Sequence, residues 1–103
     1  MLSPSLFTPQ AWQDVLDIVA YIAADNASAA ERFVPALEDT CTQLLALPGL
    51  GSARSFQSAE IKDVRQMAVT GFENYLIFYS ATKRSITVLR ILHAARDFPT
   101  IFD

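Results

Sequence analysis

Cysteine, histidine and glycine are all scarce in this chain. Among 103 residues there is one cysteine, one histidine and three glycines. A lone Cys41 excludes an intrachain disulfide. Cys41 and His93 together fall short of the four ligands of a structural zinc site. So few glycines leave no Gly-rich phosphate loop, and with five prolines they exclude collagen-like and Gly/Pro-rich chains. No apolar run approaches the ~20 residues that span a bilayer. Met1 to Thr8 lacks the basic and apolar regions of a secretory signal, so the expected compartment is the cytoplasm. Charge is sparse as well, at 18% of residues with a net charge of −3.

What is present is apolar. The 51% hydrophobic content excludes intrinsic disorder. The length suits one domain, residues 1–103, with room for a single core. An apolar fraction this high implies that a partner covers part of the surface. The charges are split along the chain. Residues 1–50 hold Arg32 against Asp14, Asp17, Asp25, Glu31, Glu38 and Asp39, whereas residues 51–103 hold seven cations against five acids. Either helices carry solvated carboxylates, or a basic layer formed by the second half meets an anionic partner. The charge count argues against tight nonspecific DNA binding.

The chain reads as a strand, two helices and three strands. Leu6-Phe7-Thr8 is a short extended start. Thr8 as N-cap and Pro9 at the first helical position open a helix. Ala11, Val15, Ile18, Val19 and Ile22 recur at helical spacing, and this helix should end near Asp25-Asn26. Ser28 and Glu31 form a capping box for the second helix. Its stripe, Ala30, Phe33, Val34, Leu37, Cys41, Leu44 and Leu45, runs through Pro35, where a kink is expected, and stops at Pro48-Gly49. A loop should follow over 48–60. Val64–Val69, Tyr75–Tyr79 and Ile86–Leu92 read as strands with hairpin-length links, the middle one buried on both faces. The expectation is an α+β domain: N-terminal strand, two-helix hairpin, then a three-stranded antiparallel meander, with the helices on one face of the sheet.

Few residues offer chemistry. No serine or cysteine lies in a nucleophile elbow, and Cys41 falls on the apolar stripe. Metal-free RNA cleavage needs only an acid, a base and an arginine, and Arg65, Arg90 and His93 are the candidates. Strand parity argues against them: if the last strand is regular, 86, 88, 90 and 92 face one way and His93 the other. The plainer alternatives are that His93 is a structural hydrogen-bonding residue, that Arg65 pairs with an acid or the chain end, and that Arg96 and Asp97 form local ion pairs.

The ordered set of short motifs resembles the ParE branch of the RelE/ParE toxin superfamily of type II toxin–antitoxin systems. It runs from Ala11, Asp14-Val-Leu-Asp-Ile and Tyr21-Ile22-Ala23 through Asp25-Asn26, Ala30, Arg32-Phe33, Leu47-Pro48 and Leu50-Gly51. It continues with Val64-Arg65 and Asn74-Tyr75-Leu-Ile-Phe-Tyr79, and closes with Val88-Leu-Arg90-Ile91-Leu92-His93-Ala-Ala-Arg96-Asp97. Pro35, the weakly basic loop at Ser52-Ala53 and the acidic balance depart from the family's pattern.

The resemblance implies a RelE/ParE-like fold and a non-enzymatic toxin. Such a toxin blocks DNA gyrase by binding and is neutralised by a cognate ParD-like antitoxin in a hetero-oligomer, with no cofactor, metal or membrane. RelE-type relatives are instead ribosome-dependent mRNA endonucleases, which would engage Arg65, Arg90 and His93. A degenerate, non-toxic member is a third reading. By the charge split, Arg65, Arg90 and Arg96 are the expected target-binding residues, and Trp12, beside the first helix's stripe, the expected antitoxin anchor. No sequence-specific DNA binding by this chain alone is expected.

Overall fold

Thr8 opens the first helix as its position before Pro9 predicts. In a computed structural model describing residues 6–54, 64–81 and 85–96, its hydroxyl accepts the Ala11 N–H, and α1 runs Pro9–Asp25. The second helix, α2, is Ala27–Ala46. The expected cap at Ser28 is displaced. Asn26 alone joins the helices: its N–H closes α1 on the Ile22 carbonyl, and its side chain accepts the Ala29 N–H to open α2. One asparagine in extended conformation thus serves both ends, and Ser28 Oγ instead accepts from Arg32 one turn later. The helix passes through Pro35, which is exposed, as is Glu31, whose carbonyl Pro35 cannot bond.

Four strands follow: β1 Ser52–Arg54, β2 Val64–Val69, β3 Phe72–Ala81 and β4 Ile86–His93. They form one antiparallel sheet in the order β1-β2-β3-β4. The last three are the expected meander. β1 lies where a loop is expected; three residues are too few to show an alternation. The expected N-terminal strand is a single parallel bridge between Phe7 and Val88. The β2–β3 turn is Thr70-Gly71, tighter than the expected 70–74 link, and Gly71 takes the left-handed φ of 86° that favours glycine.

Phe33, Leu37, Cys41 and Leu44 of α2 and Ala11, Val15 and Ile18 of α1 pack on Tyr75, Ile77, Tyr79, Ile86, Val88 and Ile91. Each large side chain so buried contributes about 1.5–3 kcal/mol. The opposite face has its own small cluster of Val64, Phe78 and Leu92. Both faces of β3 are therefore buried, as its unbroken apolar run implies. β4 is not regular: Phe78 pairs with Arg90 but Tyr79 with Val88, leaving Leu89 as a bulge. The bulge splits the expected set 86/88/90/92. Ile86 and Val88 join the helix-side core, and Leu92 joins the opposite cluster. Among the described residues no helix is long and apolar enough to cross a membrane.

Candidate functional site

β4 is an edge strand, and α1 closes part of its open edge. Thr8 donates its N–H to Val88 O and its hydroxyl to Leu89 O. Asp14 Oδ2 accepts the Ile91 N–H at 3.0 Å. The same carboxylate takes Arg90 in a two-point pair, from Nε at 2.8 Å and Nη2 at 3.0 Å. Asp14 is 7% exposed, so it needs such partners to stay charged out of water. Its place on the helix explains the burial: Asp14 falls within the stripe of Ala11, Val15 and Ile18. An acid on an apolar stripe is the signal that could have singled it out.

Past the Arg90–Asp14 pair, a groove of about 310 Å³ runs between α1 and the end of β4. Gln10, Asp17 and Tyr21 line its helix side, Arg90 and Arg96 its strand side, with Ile18, Ile91 and Leu92 beneath. Arg96, in the turn after β4, lies over the Tyr21 ring at 4.4 Å, a cation–π contact. Two of the three expected target-binding cations are thus brought together.

Arg65 is not with them. Its Nη1 donates to Gly51 O at 2.8 Å and Gly49 O at 3.4 Å, fastening the turn after α2 to β2. The chain end, one of the partners expected for Arg65, lies outside the described residues. Tyr79 completes that fastening: its hydroxyl donates to Pro48 O and accepts the Gly51 N–H. His93 alternates with Arg90 as parity expects, since the bulge precedes both. It pairs with Tyr75 on the core side, rings edge to face at 5.2 Å, and its Nδ1 accepts the Arg96 N–H. The structural hydrogen bond expected of it is there. Asp97, the expected local ion-pair partner of Arg96, lies outside the described residues.

Trp12 sits between core and solvent, 38% exposed, with its ring edge-on to Phe7 at 5.5 Å. Leu16, one turn on, is 54% exposed. Cys41 is core: burial, with the Glu38 carboxylate nearby, pushes its thiol up to about 12. Among the described residues, no three His, Cys, Asp or Glu side chains gather as metal ligands would.

Residues 6–98 match the family model of the ParE toxin of the type II toxin–antitoxin system parDE. The chain belongs to the ParE toxin family. ParE-type architecture also appears in its likeness to a solved chain described as a chromosomal ParDE toxin–antitoxin system from P. aeruginosa. That likeness has a TM-score of 0.66 at 18% identity, covering 84% of this chain and 90% of the other. At that identity it speaks for the fold. No curated protein matches the chain.

Proposed function

We propose that this ParE-family toxin acts by binding DNA gyrase and blocking it, and that a cognate ParD-like antitoxin neutralises it in the cytoplasm. The observation that favours binding over RNA cleavage is the dispersal of the three cleavage candidates. Arg65 fastens a turn, His93 faces the core side of β4, and Arg90 is held by Asp14 at the strand's edge. A ribonuclease needs its acid, base and phosphate-binding cation around one reacting centre. A binding toxin needs only a surface, and the groove holding Arg90 and Arg96 offers one. For the antitoxin, the exposed Trp12 and Leu16 on α1 form an apolar anchor on the more acidic half of the chain, suited to an amphipathic segment with basic flanks.

The test is a supercoiling assay with purified toxin and gyrase, beside a translation extract probed for mRNA cleavage. Inhibited supercoiling with intact mRNA is the expected result. Cleaved mRNA with normal supercoiling selects the ribonuclease, and neither effect selects a non-toxic member.

A further inference from the structure

The turn between α2 and β1 has a firmly held backbone and two leucines in water. The Leu47 N–H closes α2 on Gln43 O, and the Leu50 N–H returns to Leu47 O at 2.9 Å. The buried Tyr79 hydroxyl accepts the Gly51 N–H at 2.8 Å and donates to Pro48 O at 3.0 Å. Arg65 Nη1 spans the carbonyls on either side of Leu50, at 3.4 Å to Gly49 and 2.8 Å to Gly51. All five residues of 47–51 are thus tied through backbone atoms. Their two large side chains are left outside: Leu47 is 61% exposed and Leu50 45%. We propose that this turn is a docking knob for the toxin's protein target, with Leu47 and Leu50 entering an apolar recess and Arg65 reading a carboxylate at its rim. For the identity of that target as gyrase, the proposal rests on the reading given above.

Preorganisation and charge select this partner. Two leucines in water on a fixed backbone bring apolar area to an interface at little ordering cost, the condition under which buried area becomes affinity. Arg65 supplies the sign. Its Nη1 spends both N–H bonds on the two carbonyls, Nε and Nη2 keep three, and no acid among the described residues pairs with it. A carboxylate beside an apolar recess matches that set. An antitoxin segment with basic flanks does not, because it suits the acidic helices and would meet Arg65 with like charge. The turn leads into β1, at the opposite edge of the sheet from β4, so this surface is separate from the groove of Arg90 and Arg96.

The test uses the full chain and purified gyrase, with growth arrest on expression and thermal unfolding read beside supercoiling. A double variant, Leu47→Ser with Leu50→Ser, should melt close to the parent, since both side chains already face water. Its inhibition of supercoiling should fall about 10-fold, as for truncated interface anchors. Gly49, with open space around it, tests the charge. Gly49→Glu sets a carboxylate beside Arg65 and should inhibit about 5-fold less well than Gly49→Lys, whose side chain is of similar length. If the double variant does not fold, the Gly49 pair decides alone. The knob is overturned if the folded double variant inhibits as the parent does, or if Glu and Lys at position 49 act alike. It is also overturned if the double variant loses affinity for a ParD-like antitoxin and keeps its inhibition. Self-association of the parent in sedimentation, abolished in the double variant, assigns the turn to a second copy and overturns it too. Growth arrest separates the knob from the gyrase reading. A parent that arrests growth without affecting supercoiling, with the arrest lost in the double variant, keeps the knob and removes gyrase. A parent with neither effect overturns both.

Discussion

Asp14 and Tyr21 make two arginines of the same groove behave differently. Arg90 is bound to a buried carboxylate, so Arg90→Ala leaves Asp14, among the described residues, with the Ile91 N–H. The loss should be about 3 kcal/mol in denaturant unfolding, the low end for a broken buried pair because Arg90 is partly exposed. Arg96 is exposed, and of its contacts the cation–π one with Tyr21 that Arg96→Ala gives up is worth about 0.5–1 kcal/mol. If gyrase inhibition falls in Arg96→Ala well beyond what its measured loss of stability explains, Arg96 is a contact. Unchanged inhibition moves the contact elsewhere. A third residue reports on pH. Cys41, held near 12 in the folded protein against 9.0 unperturbed, stays a thiol where the unfolded chain ionises. The unfolded state then binds fewer protons, so this contribution is fully present below pH 9 and is lost as pH rises through 9 towards 12. The slope is at most about 1.4 kcal/mol per pH unit. Cys41→Ala should remove that part of the alkaline decline, read as the difference between the two unfolding curves. An identical decline in both proteins would refute the assignment.

At the scale of elements, the caps and contacts that depart from the sequence reading make the sharpest tests. Asn26 terminates one helix and starts the next, so Asn26→Ala should cost about 1 kcal/mol, and Ser28→Ala close to nothing. Equal losses would return the cap to Ser28. Near β1, a Cβ on Gly51 would lie 2.5 Å from Tyr79 Oη and 2.6 Å from Gln66 O, a backbone atom. Gly51→Ala should therefore destabilise by about 2 kcal/mol or more, whereas Gly49, with open space around it, should accept alanine with little loss. The helices α1 and α2 are legible because each repeats an apolar spacing over several turns, and β3 because its apolar run is unbroken. β1 was not, because its place in the sheet depends on the distant Tyr79 hydroxyl and the Arg65 guanidinium, neither of which leaves a local mark. The bulge at Leu89 was equally silent: a run of apolar residues reads the same with or without one unpaired residue. Asp14 was visible as a charge but not as a partner, because its pairing spans 76 positions of sequence.

At the scale of the whole molecule, α1 divides two proposed surfaces. Trp12 and Tyr21 are nine positions apart on one helix, and at 3.6 residues per turn that places them about 180° apart. Trp12 therefore belongs to the flank away from the Arg96 groove. The apolar excess and charge split read from composition anticipate partners without saying where each docks; the helical phase separates them. Trp12→Ala should weaken binding of a ParD-like antitoxin by about 2 kcal/mol or more, as for a central aromatic anchor. Its edge-on contact with Phe7 should cost stability by about 0.5–1.5 kcal/mol. Gyrase inhibition should persist in that variant, and Arg96→Ala should keep its antitoxin affinity. The expected outcome is a crossed pattern in the two assays, with the stability of each variant measured beside them. If both variants lose both activities, the antitoxin and the target share one surface and the division by α1 fails. If Trp12→Ala changes stability alone, Trp12 is a core residue whose exposed edge serves no partner.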